Sequence, residues 1–404
     1  MSWREIEFED LYSAPSKNGL TRPARVRGAG YKMINMGELF AHDRIGNIEM
    51  ERVPMNEKEL ETMLVEPGDL LFARQSLVLA GAGKCSIVGQ AEEPTTFESH
   101  IIRVRLKREL ADPAFFHYYF RSPVSRMKSI VTQGVQAGIR GNDLKKLKVH
   151  LPPLSDQKRI ASIISTYDDL IENNRRRIQL LEQAARLLYK EWFVHLRFPG
   201  HEHIKIKDGV PEGWEETFLS DVIDVNPKTP VEKGKEILYV PMSALSEAGM
   251  TADTGDFERR TTHTTVKFKK NDVLLARITP CLENGKTGFA YFLGDDEVAC
   301  GSTEFIVLRG TRVSAAFTYC LARSYQFRGN AIKSMIGSSG RQRVQVSCFD
   351  EYKVPLPPKH LLNMFDDIVN AVFEQIRVIV AQNDKLARAR DLLLPRLMNG
   401  EVAV

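Results

Sequence analysis

Long apolar runs are missing from this sequence. None approaches the roughly 18 residues that a membrane-crossing helix needs, which excludes a spanning helix. Cysteine is scarce: five residues in 404, an odd number with no Cys-x-x-Cys pair. Cys85, Cys281, Cys300, Cys320 and Cys348 therefore read as thiols of a cytoplasmic protein, not as disulfide staples or a zinc site. The opening Met1-Ser-Trp-Arg-Glu-Ile-Glu-Phe-Glu-Asp10 alternates charged and apolar residues and has no signal-peptide core. Charge of one sign is not in large excess either, with 56 Lys and Arg against 52 Asp and Glu. That balance requires no nucleic-acid partner and permits one where the charge is segregated.

Catalytic signatures are absent as well. Pro280-Cys-Leu-Glu-Asn-Gly-Lys-Thr287 ends like a phosphate-binding loop but begins with proline where glycine is required. Gly81-Ala-Gly-Lys84 lacks the third glycine of a dinucleotide turn. His201-Glu-His203, close to His195, sits in a polar linker without a cysteine or a well-spaced carboxylate. There is no Gly-x-Ser-x-Gly, no His-Glu-x-x-His, and no Asn-Pro-Pro-Phe or Asp-Pro-Pro-Tyr. The expectation is a chain without catalytic residues, metal or bound cofactor of its own.

What is present is a duplication. Pro67-Gly-Asp-Leu-Leu-Phe-Ala-Arg74 matches Lys270-Asn-Asp-Val-Leu-Leu-Ala-Arg277, with Asp69 on Asp272 and Arg74 on Arg277. Val149-His-Leu-Pro-Pro153 matches Val354-Pro-Leu-Pro-Pro358 at nearly the same offset, and Gly83-Lys84 matches Gly285-Lys286. Each Pro-Pro is followed by a long apolar stripe at steps of three and four, about 156–194 and about 361–398. At 1.5 Å per residue each is a helix of roughly 58 Å, far beyond the usual globular length. Neither stripe can stay in water; pairing the two helices antiparallel solves both, the alternative being that each packs onto its own globular domain. Breaks are expected near 172–174 and 382–384. The segments before the helices hold short strand-like runs separated by Gly, Pro, Asn and Asp, plus one aromatic-rich helix each, 112–127 and 314–332. The predicted fold is α+β: globular domains at 1–150 and 205–355, helical regions at 151–204 and 356–404.

Nucleic-acid readers combine phosphate-neutralising cations with a few side chains that reach base edges, and Arg and Gln suit guanine and adenine. Arg22, Arg25, Arg27 and Lys32 cluster near the start. Thr132-Gln-Gly-Val-Gln-Ala-Gly-Ile-Arg140 offers Gln133, Gln136 and Arg140 on a glycine-rich loop. Its counterpart, Gly337-Ser-Ser-Gly-Arg-Gln-Arg343, offers Arg341, Gln342 and Arg343. Arg74 and Arg277 follow the duplicated strands, and Lys84 and Lys286 are expected at the tips of strand-connecting loops. A scaffold that binds only proteins is the alternative reading of the same pattern.

The whole chain resembles the specificity subunit of type I restriction-modification systems. The resemblance rests on 68–74, on Asn271-Asp-Val-Leu-Leu-Ala-Arg-Ile-Thr-Pro280, on Glu283-Asn-Gly-Lys286 and on Gly301-Ser-Thr-Glu-Phe-Ile-Val-Leu308. Leu151-Pro-Pro-Leu-Ser-Asp-Gln-Lys-Arg-Ile160 and Leu187-Leu-Tyr-Lys-Glu-Trp-Phe193 complete it. It implies two target recognition domains that each read half of a bipartite, asymmetric double-stranded DNA site. The helices then set the spacing and dock two modification (methyltransferase) subunits, with Leu181, Leu188, Trp192, Phe193, Leu386, Leu393 and Leu397 as candidate contacts. Restriction subunits join that complex, and S-adenosylmethionine, ATP and Mg belong to the partners. One departure stands out. Lys359-His-Leu-Leu replaces the first copy's Leu154-Ser-Asp-Gln-Lys, which leaves the start of the second helix open.

Overall fold

The strand Leu70–Ala73 is four apolar residues with no alternation, and all four are buried. Such a run needs a core on each face. Leu70 and Phe72 enter one cluster with Ile102 and Val104, while Leu71 and Ala73 enter a second with Ile34 and Phe97. Val273–Ala276 repeats the arrangement, with Val273 and Leu275 on one side and Leu274 on the other. A computed structural model describes residues 3–134, 136–262 and 264–404, and its chain divides into two units. Unit 1 is 1–171 with 384–404; unit 2 is 172–383.

In unit 1, Leu70–Ala73 lies between Ile101–Leu106 and Cys85–Val88 in a five-stranded sheet completed by Tyr12–Asn18 and Arg44–Ile45. A second sheet joins Arg52–Val53, Tyr31–Ile34 and Thr95–Phe97, the last two running parallel. In unit 2, Val273–Ala276 lies between Phe305–Gly310 and Thr287–Phe289, with Ile223–Val225 outermost. Its second sheet again has a parallel pair, Ile237–Val240 beside Val298–Gly301. The duplicated aspartates brace both copies. Asp69, 1% exposed, accepts from the Glu66 amide at 2.8 Å and from Arg105 Nε and Nη2 at 2.7 and 2.8 Å. Asp272, also 1% exposed, accepts from the Lys269 amide at 2.8 Å and from Arg309 at 2.7 and 2.6 Å.

Both long helices form, Leu154–Tyr189 and Lys359–Met398. Each starts directly after its Pro-Pro, where the second proline's carbonyl accepts the first helical amides. Ser155 and Asp156 lie inside the first turn, and the second helix begins at Lys359 although Lys359-His-Leu-Leu departs from the first copy. The expected breaks at 172–174 and 382–384 are absent, since both helices run through them. The first helix ends in a π turn, Lys190–Val194, that keeps Trp192 and Phe193 in the unit 2 core. Within unit 1, Ile160 and Ile164 share a core with Leu394 and Leu397, and Asp168 accepts from Arg390 at 2.6 Å. Within unit 2, Asn174 donates to Asn383 at 2.9 Å and Tyr189 stacks edgewise on Phe365. Low numbers on one helix meet high numbers on the other in each unit, the antiparallel order.

The two aromatic-rich helices are shorter than expected. Pro113–Arg121 stops at Ser122, because Pro123 follows and disfavours a helical residue before it. The 314–332 segment is two helices, Ala315–Arg323 and Tyr325–Lys333, split where Ser324 turns extended and caps the second. His117 on the first is 1% exposed. Burial, then the charges of Arg121, Arg44 and Lys84, hold it well below the usual imidazole range. The unfolded chain therefore binds a proton near pH 6.5 that the folded chain refuses, so stability falls as pH drops below that value. Thermal unfolding across pH 7.5 to 5 should show this loss in the wild type and a flatter profile in His117→Gln. Equal slopes would remove the histidine as its cause.

Candidate nucleic-acid interface

Beyond the buried strand of unit 1 the chain reaches Arg74, whose amide donates to the His100 carbonyl and whose carbonyl accepts from Ile139. Gln75–Ser76 then pairs with Ala137–Gly138, which pairs with Thr132–Gln133. The glycine-rich loop is therefore a β-hairpin hung on the strand that leaves the core. Gln133, Gly134 and Gln136 stand exposed at its tip, and Val135 lies outside the described residues. Unit 2 repeats the device. The Arg277 amide donates to Glu304, Val344 donates to the Arg277 carbonyl, and Arg343 bridges both Ile278 and Ile336. Gly337 and Gly340, at φ of 133° and 75°, allow the turn that lifts Ser338 to Gln342 outward.

The candidate residues sort by whether another part of the protein already holds them. Arg25, Arg140 and Arg341 are exposed and form no ion pair among the described residues, and Arg74 is half-buried with no side-chain partner among them. Gln133, Gln136 and Gln342 likewise keep unengaged amides. The others are held. Arg22 binds both oxygens of Glu59 at 2.6 Å and keeps that carboxyl below its usual range. Arg27 pairs with Glu51, and Arg343 with Glu304 at 2.7 Å. Lys32 is 5% exposed and donates to Asn47 and Glu93, each at 3.0 Å. Arg52 first, then Lys32, drives the Glu93 carboxyl down to about 2. These four leave the set of free readers.

Lys84 and Lys286 are not loop tips. Lys84 Nζ donates to the Phe40 carbonyl at 2.6 Å and Lys286 Nζ to the Met242 carbonyl at 3.2 Å. Both bonds brace the fold at equivalent positions, a duplicated structural role. Arg277 donates to the Val344 carbonyl at 3.2 Å and keeps a buried Nε without a partner. It lines a cleft of about 640 Å³ in unit 2 with Asn226, Lys228, Lys267 and Thr303. Lys228 and Lys267 have no ion-pair partner among the described residues, so the cleft gathers three cations suited to a phosphate backbone. Neither lysine carries a sequence signal, because the cleft is built from four separate segments.

The partner-facing candidates also divide. Trp192, Phe193 and Leu397 are 7%, 4% and 1% exposed, inside the cores of their own units. Leu181 and Leu188 lean on the unit 2 core and Leu393 on the unit 1 core, while Leu386 is half-buried. The exposed apolar side chains on the long helices are others, among them Leu170, Leu180, Leu187, Ile368, Val378 and Leu392. Glu182, absent from the sequence reading, anchors the helix on unit 2 by accepting from Tyr319 Oη at 2.6 Å and the Met250 amide at 2.8 Å. His201 and His203 both approach Glu202, His201 also lies 2.8 Å from the Phe198 carbonyl, and no group of three potential metal ligands forms among the described residues. No helix there is long and apolar enough to cross a membrane.

Comparison with known proteins agrees with this duplicated architecture. A family model described as the type I restriction modification DNA specificity domain matches residues 3–183 and again 211–361, one match per repeat. The MjaIX type I restriction enzyme specificity subunit of Methanocaldococcus jannaschii is 23% identical over 375 residues, 89% of this chain and 85% of that one. The EcoEI specificity subunit of Escherichia coli is 35% identical over 159 residues, 37% of this chain and 26% of its own. The crystal structure of the type I restriction-modification S subunit from M. genitalium shares the fold. It has a TM-score of 0.55 and 15% identity, covering 98% of this chain and 96% of that one. With one family model matched twice, on two copies of one framework, the chain belongs to the type I restriction-modification DNA specificity family.

Proposed function

We propose that this specificity subunit, non-catalytic by itself, reads a bipartite and asymmetric double-stranded DNA site, one half with each unit. The observation that carries this is the paired hairpin. Each copy hangs unengaged side chains from the strand leaving its core, and the two sets differ: Gln133, Gln136 and Arg140 against Arg341 and Gln342. Different readers on one framework give unlike half-sites. The cleft of Lys228, Lys267 and Arg277 supplies phosphate contacts. Exposed apolar residues of the long helices, from Leu170 to Leu187 and from Ile368 to Leu392, dock two modification subunits. A second cleft of about 750 Å³ in unit 2, lined by Arg186, Leu187, Lys190 and Tyr325, extends that surface. Restriction subunits complete the assembly in the cytoplasm, and S-adenosylmethionine, ATP and Mg act on the partners.

The test is a selection from randomised duplex DNA by the full chain co-purified with its modification subunit. Two unlike short sequences at one fixed separation are expected, with affinity falling steeply as salt rises. A palindromic or contiguous site, or salt-insensitive binding without sequence preference, would favour the protein-binding scaffold instead.

A further inference from the structure

Unit 1 carries an apolar tip that its framework does not require. Leu77, Val78 and Leu79 are consecutive and 86%, 64% and 55% exposed. Scattered exposed apolar side chains are ordinary, but three in a row on one loop are not. The equivalent loop of unit 2 is one residue shorter between its arginine and its glycine-lysine pair, and turns Leu282 fully into the core. The exposed tip is thus a property of one copy, not of the shared fold.

The loop is held, not loose. Ser76 Oγ accepts from the Val78 amide at 3.2 Å, and the Gly81 amide donates to the Val78 carbonyl at 3.1 Å. A Cβ on Gly81 would lie 2.3 Å from Ser76 Oγ and 3.0 Å from the Phe40 ring, so the base of the loop is closed tightly. Its first strand, Gln75–Ser76, is hydrogen-bonded to the hairpin that bears Gln133 and Gln136, with Arg74 preceding it and Arg140 following the hairpin. A fixed apolar point therefore stands among unengaged amide and guanidinium groups. Duplex DNA matches both parts of this arrangement, offering base edges and phosphates to the polar groups and stacked bases to the point.

We infer that Leu77, backed by Val78 and Leu79, is a wedge that enters a base step of the half-site read by unit 1 and unstacks it. This rests on the reading of unit 1 as a DNA reader and adds a second means of recognition. Insertion is easiest at flexible pyrimidine–purine steps, so unit 1 selects for deformability as well as for base edges. Unit 2, lacking the tip, reads its half without a kink.

The experiment uses the full chain with its modification subunit on the selected duplex, with 2-aminopurine placed in turn at each position of both half-sites. Apart from the bases that the modification subunits extrude in each half, wild type should raise the fluorescence several-fold at one further step of the unit 1 half and at no further step of the unit 2 half. Leu77→Ala should abolish that rise and weaken binding about 10-fold, and Leu77→Phe should keep it. The wedge is overturned if wild type unstacks no step of the unit 1 half, or if Leu77→Ala retains the signal. Loss of the modification subunit from Leu77→Ala on gel filtration would overturn it too, assigning the loop to a protein interface. A bipartite site without unstacking sinks the wedge alone; failure to select any bipartite site sinks the reading beneath it.

Discussion

Alanine at Gln133, Gln136 and Arg140 together is expected to abolish discrimination at one half-site while the other half is read as before. Bidentate contacts from Gln to adenine and Arg to guanine are each worth about 1–3 kcal/mol, or roughly 5- to 150-fold. Arg341→Ala with Gln342→Ala should do the same to the opposite half. Folding should be little affected in both variants, because Gln133, Gln136, Arg140 and Arg341 are exposed, Gln342 is half-buried, and none of these side chains bonds to another described residue. The measurement is equilibrium binding to duplexes altered in one half at a time. If either variant weakened both halves equally, the hairpins would be general DNA contacts and not readers.

Asp69→Ala and Asp272→Ala should each destabilise their own unit by about 3–5 kcal/mol, the range for removing one partner of a buried ion pair. The carboxylate in each copy accepts a backbone amide and two guanidinium bonds at 2.6 to 2.8 Å. Its loss strands the amide and takes two bonds from the arginine, which keeps only Glu66 and the Leu64 carbonyl in unit 1 and Thr229 in unit 2. For a domain of this size that corresponds to a fall in Tm of roughly 6–20 °C. Thermal unfolding of the two variants beside wild type checks this. A change under about 1 kcal/mol in both would mean that the arginines find other partners.

The duplication was legible because its landmarks are structural. Leu70–Ala73 and Val273–Ala276 must be apolar on two faces, and each Pro-Pro marks a helix start. The long helices were legible from their period, including the antiparallel order within each unit. What a sequence hides is pairing at a distance. Arg22 and Arg25 look alike until Glu59, 37 residues from Arg22, takes one of them. Arg343 looks as free as Arg341 until Glu304, 39 residues away, claims it. Leu188 and Trp192 belong to one stripe at helical spacing, and the π turn buries Phe193 beside Trp192. Leu77 to Leu79 passed unremarked because a short apolar run reads equally as a buried strand.

The central claim is that two independent readers are joined by helices that set the gap between their half-sites, and changing the helices alone tests it. One turn of four residues would be inserted in both, between Ile171 and Glu172 and between Asn383 and Asp384, where the two units meet in sequence. Four residues add about 6 Å of helix, close to two base pairs of DNA at 3.4 Å each. Repeating the selection should return the same two half-sequences with the gap between them lengthened by about one or two base pairs. An unchanged gap, or altered half-sequences at the old gap, would contradict the claim.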